Sequence, residues 1–243
     1  MNKKRNAFFK VIPFFVCLIF VLQTSIVGYA ESVSNLPSSF KNEINSCDKL
    51  LNNISSNDFE RTVSVENNTE TIKITNTNLV EKFVNESNFE KPLGRTPTEI
   101  TFVRVLSQVE NKTNNFQDLA PGTLYVKNKS YTEACGSSIL KKVSGNSGSL
   151  TLSFSGKVAA TWNANVGISA SAVSAGVGFS VTAEYSVTQS NTIDTYGKYA
   201  EIRAYAEYNG YRFEVWEDGW FSDSKVGTGT ALRPVGICFV TYR

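Results

Sequence analysis

The chain has 243 residues, 41% hydrophobic and 12% aromatic, with 24 basic and 22 acidic side chains. That is enough apolar content to bury a core in one or two domains. Histidine is absent, which excludes a Ser-His-Asp triad, a Cys-His dyad and histidine-liganded zinc.

Residues 1–30 read as a secretory signal peptide. Lys3, Lys4, Arg5 and Lys10 form a basic region, Val11 to Leu22 an apolar core, and Gly28-Tyr29-Ala30 a small-residue cleavage site. The apolar core is too short to span a bilayer. Removing those four cations leaves 20 basic against 22 acidic residues, a net charge of −2. No basic field then points to nucleic acid. Export places Cys47, Cys135 and Cys238 in an oxidising setting where one bridge and one leftover thiol are allowed. Cys135 with Cys238 is the favoured pair, because both lie in the strand-rich part; unpaired buried thiols are the alternative.

Residues 31–95 form an N-terminal helical and hairpin segment with a linker. Phe40, Ile44, Cys47, Leu51 and Ile54 fall at helical spacing, which predicts a short helix over Ser39 to Ile54. Thr62 to Glu66 and Glu70 to Thr75 alternate around Asn67-Asn68, which predicts a hairpin, and Asn78 to Phe89 reads as a second short helix. Pro92 to Pro97 looks like a boundary.

Residues 96–243 read as an antiparallel β domain, so the fold class is mainly β: an elongated antiparallel sheet or β-sandwich with a long amphipathic hairpin. Period-two alternation runs through Glu99 to Val109, Thr123 to Thr132, the stretch from Val143 to Tyr185, and Lys198 to Asp218. From Leu150 the apolar residues take even numbers up to Ile168, and after Ser171-Ala172 they switch to odd numbers from Val173 to Tyr185. Such a phase switch suits a hairpin with both apolar edges on one side. It pairs Trp162 with Val181, Ala164 with Phe179, Val166 with Val177 and Ile168 with Ala175. From Val158 to Ala183 there is no charged residue. Asn209-Gly210 suits a type I′ turn joining Tyr208 to Tyr211 and Ala206 to Phe213, with Glu207 against Arg212 on the solvent face. Gly227 to Thr230 reads as a loop, and Pro234 to Tyr242 as a final strand.

Nothing in these residues carries enzyme chemistry. The mature cysteines lack CxxC spacing, and neither a GxGxxG nor a P-loop sequence occurs, so no metal and no cofactor is implied. Glu214, Glu217, Asp218 and Asp223 near Trp216 and Trp220 form the one carboxylate group that suits a glycosidase or a calcium site; solvated strand-end acids are the plainer reading. Nine aromatic residues fall between Tyr196 and Phe221. Of these, Tyr199, Tyr205, Trp216 and Trp220 remain candidates for ligand stacking once the others are assigned to a core.

Each arm of the uncharged hairpin runs about eleven residues, which at 3.3 Å per residue and a tilt of roughly 40° reaches about 28 Å, close to the apolar band of a transmembrane barrel. A ring of such hairpins closes without open edges. Val158, Trp162, Val166, Ile168, Val177, Phe179 and Val181 are then the membrane-facing candidates. A Ser/Thr-rich, uncharged, alternating hairpin between two long strands resembles the insertion segment of aerolysin-type β-pore-forming toxins. The exit Val187-Thr188-Gln189-Ser190 into Lys198-Tyr199-Ala200-Glu201-Ile202 is similar to the strand that follows that segment. The likeness covers about Val143 to Val215 and implies a hairpin that unfolds on oligomerising, hence membrane lipid and further copies of the chain as partners. The alternative is a soluble sandwich that serves as a secreted binding module for envelope glycan or a protein. The chain also resembles small secreted β-rich proteins of Gram-positive bacteria.

Overall fold

The computed structural model describes residues 54–55, 57–106, 120–146 and 148–243. The signal segment, Cys47 and all but Ile54 of the helix expected over Ser39 to Ile54 lie outside them.

The fold is mainly β. β1 (Phe59–Ser64) and β2 (Thr69–Ile74) form the expected hairpin around Asn67-Asn68, where Asn68 takes a left-handed backbone with φ of 50° that asparagine tolerates. α1 (Thr77–Glu86) starts at Asn76, whose side chain accepts from the backbone N–H groups of Asn78 and Leu79. It ends at a left-handed Asn88, φ 54°. The N–H of Phe89 then donates to the Val84 carbonyl at 3.0 Å, which drops the Phe89 ring onto Tyr205 with centroids 3.9 Å apart.

The remaining strands are β3 (Pro97–Val105), β4 (Leu124–Gly145), β5 (Ser149–Ala159), β6 (Thr161–Ala164), β7 (Glu184–Asp194), β8 (Ala200–Glu217) and β9 (Ser224–Tyr242), with a helix α2 (Ala170–Val177) between β6 and β7. One antiparallel sheet has the order β1-β2-β3-β9-β8-β4, with β6 added to β9. β5 and β7 make a separate two-stranded ribbon. The sheet is covered on both sides. Val80, Val84 and Phe89 pack with Ile72, Phe102, Tyr205 and Tyr242. The ribbon's Leu152, Val158, Val187 and Ile193 pack with Ile202, Ala204, Ile237 and Phe239. That double covering is why every residue of β8 from Ala200 to Glu207 is buried. Cys135 on β4 and Cys238 on β9 form the expected disulfide. These strands flank β8 and would sit two spacings apart, about 9.6 Å, yet their Cα atoms are 6.2 Å apart. β4 breaks its register with β8 between Cys135 and Ile139, next to the bridge.

Three sequence expectations are corrected. Asn209-Gly210 is not a turn: both residues lie inside β8, Asn209 opposite Arg233 and Glu133, Gly210 opposite Leu232 and Thr132, and neither has positive φ. The glycine is needed for a close approach instead, since a Cβ there would stand 2.0 Å from the Ala231 carbonyl oxygen. The turn with two successive positive φ values falls at Tyr196-Gly197, between β7 and β8, closed by the Lys198 N–H to the Thr195 carbonyl at 3.0 Å. Second, residues 227–230 are strand, not loop, because β9 is paired on both edges there, with β8 and with β6. Third, the hairpin drawn over 158–183 is not formed. Only its base is: Val158 and Ala159 belong to β5. Trp162 pairs with Ala231 in β6, and the expected turn Ser171-Ala172 lies in the first turns of α2.

Replacing Cys135 and Cys238 together by serine removes a closure between residues 103 apart. Chemical denaturation is expected to show a stability loss of about 4 to 5 kcal/mol. An unchanged midpoint would show that the bridge constrains nothing.

Candidate functional site

The segment from Ala160 to Ala183 leaves the ribbon at one end and returns to it at the same place. The last ribbon pair is Ala159 with Glu184, and the Ala160 N–H donates to the Ala183 carbonyl at 2.9 Å. Between these points the chain makes β6 along β9, a short connection, and α2. Ser169 opens α2 by accepting from the Ala172 N–H at 3.2 Å. Gly178 closes it in the left-handed region at φ 86°. Ser174 accepts from the Val181 N–H at 3.1 Å and ties the turn before β7 to the helix. The helix forms despite strand-like alternation because Val173 and Val177, four apart, satisfy a period of two and a period of 3.6 alike. Ala170, Ala172 and Ala175 favour the helical choice. Gly176 lets the helix lie against β4, where a Cβ would stand 2.3 Å from the Val126 Cβ.

The membrane-facing candidates are thus placed inside. Ile168, Val177 and Val181 are buried with Val173 against Phe213, Val215 and Ala231, while Trp162, Val166 and Phe179 pack half-buried around them. Val158 belongs to the neighbouring cluster under the ribbon.

The four aromatic candidates are not brought together. Tyr205 is fully buried and its face is covered by Phe89, so it is a core residue and not a stacking platform. Tyr199 precedes β8 and lies under Arg95 at 4.1 Å. Trp216 sits near the other end of the same strand, covered by Lys127 at 4.5 Å and donating to Glu214 at 2.9 Å. Trp220, 84% exposed, stands beside Phe221, 103% exposed, in the turn between β8 and β9. Of the acidic residues around them, Glu214 is held down to about 2 by Lys225, Asn128 and Trp216. Asp223 is lowered by the Tyr125 hydroxyl and Lys127. Both are ionised partners of neighbouring donors, the opposite of the raised carboxyl a general acid requires.

A buried charge row lies beside the disulfide. Glu70 of β2, Arg104 of β3, Gly236 of β9 and Glu207 of β8 are register neighbours across four strands. Arg104 reaches Glu133 at 2.9 Å, Glu207 at 3.0 Å and Glu70 at 3.5 Å, and Arg61 also pairs with Glu70. Gly236 keeps the row open, since a Cβ there would stand 2.7 Å from the Glu207 carboxylate. Glu207 was expected on the solvent face against Arg212; that face is instead packed, and Arg212 lies elsewhere, exposed. The signal was legible in β2 and β3, where Glu70 shares the apolar phase of Ile72 and Ile74, and Arg104 that of Ile100 and Phe102.

No family model matches the chain, and neither a curated protein nor a solved structure does.

Burial pushes the Glu207 carboxyl up to about 7, opposed by Arg104 and reinforced by Glu133 and Glu70. The folded chain therefore holds this proton more tightly than the unfolded chain does. The corresponding stability is full below about pH 4.5 and is lost as pH rises through 7, by about 3 kcal/mol. Thermal unfolding from pH 5 to 8 should show this slope, and Glu207→Gln should flatten it. An equal slope in both would place the titration elsewhere.

Proposed function

We propose that this is a secreted, non-enzymatic β-protein that acts on membranes by releasing residues 160–183 and extending the β5–β7 ribbon into a long hairpin. One observation carries this reading. Every ribbon pair from Ser149 with Asp194 to Ala159 with Glu184 has the same register. Continuing that register unshifted pairs Trp162 with Val181, Ala164 with Phe179, Val166 with Val177 and Ile168 with Ala175, and meets at Ser171-Ala172. These are the pairs that alternation alone selects in a segment that now adopts a different fold. Two packings thus share one residue pattern, which is the requirement for a two-state element.

The extension adds eleven residues to each arm, about 28 Å when tilted by roughly 40°, against an apolar barrel band of about 25 Å. One face carries Trp162, Val166, Ile168, Val177, Phe179 and Val181; the other carries only Thr, Asn, Ser and Gly. A lone hairpin leaves open edges in lipid, so insertion requires a closed ring of copies. Release uncovers Ile168, Val173, Val177 and Val181, each worth about 1.5 to 3 kcal/mol of burial, so the folded-in form persists until lipid and neighbouring copies offer replacement contacts. α2 lies against Val126 at the start of β4, the end of the sheet that also bears the exposed Trp220 and Phe221. Aromatic side chains of this kind favour the membrane–water interface.

Purified protein is expected to release dye from vesicles of zwitterionic and anionic lipid and to form ring-shaped oligomers on them. Thr161 and Leu232 are cross-strand partners, about 4.5 to 5.5 Å apart at Cα and so within disulfide reach. The double variant Thr161→Cys, Leu232→Cys should lose leakage when oxidised and regain it on mild reduction. Leakage unaffected by the lock, or neither leakage nor rings at any lipid composition, overturns the reading.

A further inference from the structure

The sheet surface opposite the folded-in segment bears a cleft of about 610 Å³ that draws its walls from four strands. Side chains alternate across a strand. Phe213 and Val215 of β8, with Trp162 and Ala164 of β6, point to the core beneath the segment, so Arg212, Glu214 and Asn163 face the other way. Ser130 of β4, Arg212 of β8, Thr230 of β9 and Asn163 of β6 are successive register partners. They form one row about 14 Å long, three strand spacings. The next row holds Asn128, Glu214, Thr228 and Asn165.

The second row is internally satisfied. Glu214 accepts from Lys225 and Asn128, each at 2.6 Å, and from Trp216; Asn165 accepts from the Thr228 N–H at 2.8 Å. The first row makes no such contacts: Ser130, Arg212 and Asn163 are exposed and Thr230 half-buried, so their polar groups face solvent and are open to a ligand.

We propose that this cleft binds a neutral saccharide. Lys225 already neutralises Glu214 at 2.6 Å, so Arg212 is the one charge of the lining left over, and because it is exposed and screened by solvent it offers a phosphate or other anion little. The bare hydroxyls, guanidinium and carboxamide supply donors and acceptors in a line, which suits successive sugar hydroxyls. An apolar ligand would leave those groups unpaired.

A saccharide lying along the row touches two bodies that the proposed function separates. Arg212, Ser130 and Thr230 belong to the permanent sheet, and Asn163 to the segment that would leave it. Bound sugar therefore holds β6 on β9, and by linkage the folded-in form is the one that binds sugar. This coupling rests on the proposed membrane function; the binding itself does not.

The test uses soluble neutral oligosaccharides, hexose and N-acetylhexosamine oligomers, first on an array and then by titration calorimetry. The parent protein should bind at least one of them. Arg212→Ala and Asn163→Ala should each weaken binding at least tenfold with unchanged thermal midpoints, and Tyr196→Ala, at the far turn, should leave it intact. The oxidised Thr161→Cys, Leu232→Cys protein should bind as tightly as the parent or tighter, and saturating sugar should slow dye release. No binding of any oligosaccharide, or equal binding by parent and Arg212→Ala, overturns the site. Weaker binding by the locked protein overturns the coupling. Sugar binding lost in Arg212→Ala without any vesicle leakage would keep the site and remove the membrane reading.

Discussion

Four side chains, Ile168, Val173, Val177 and Val181, hold the segment between β5 and β7 against Phe213, Val215 and Ala231, and the rest of the molecule is arranged around that contact. The segment has no charge between Val158 and Ala183 and therefore no strongly hydrated group to keep it apart from protein or lipid. Its apolar edge must be covered, and here the distal half of the sheet covers it. The length of β8 and β9, 18 and 19 residues, follows from the same need. The end where Ala200 and Tyr242 lie is roofed by the ribbon, and the end where Glu217 and Ser224 lie by the segment.

The sheet that provides this surface is unusually constrained. Its middle is fixed by the bridge from Cys135 to Cys238 across β8 and by the charge row around Arg104. Burying three carboxylates near two guanidinium groups costs desolvation that hydrophobic residues of similar volume would avoid. What such a row adds is register, since a one-residue slip of β2, β3 or β8 would strand a charge in the core, and a slip of β9 would drive a side chain into the gap that Gly236 leaves. The segment itself is held to the sheet by side-chain burial, the short β6 pairing, two hydrogen bonds between Asn165 and Thr228, and one from Lys129 to the Gly176 carbonyl. The sheet is cross-tied by covalent and ionic contacts and its cover is not, and the cover is the part whose alternation also continues the ribbon register.

The cleft on the opposite surface gives β6 two faces of different character. Trp162 and Ala164 are committed to the core, Asn163 and Asn165 to a polar wall shared with β8 and β9. Anything that bridges that wall adds to the hold on the segment.

The amino-acid sequence by itself determined the mainly β class, the Asn67-Asn68 hairpin, the helix after Asn76 and the two-faced character of 160–183, because each rests on local periodicity or local backbone preference; it favoured Cys135 with Cys238 but left unpaired thiols open until the fold brought the two together. It misassigned Asn209-Gly210, since a glycine needed for φ > 0 and a glycine needed to admit a neighbouring carbonyl read alike until the neighbour, Ala231, is in place. Tyr205 and Glu207 read as solvent-facing because alternation distinguishes two faces of a strand but not whether one or both are covered. α2 was hidden because Val173 and Val177 fit strand and helix spacing equally. Tertiary structure alone decided these points, and it alone aligned Ser130, Arg212, Thr230 and Asn163. Each depends on contacts between strands far apart in the chain, whose pairing no local pattern encodes.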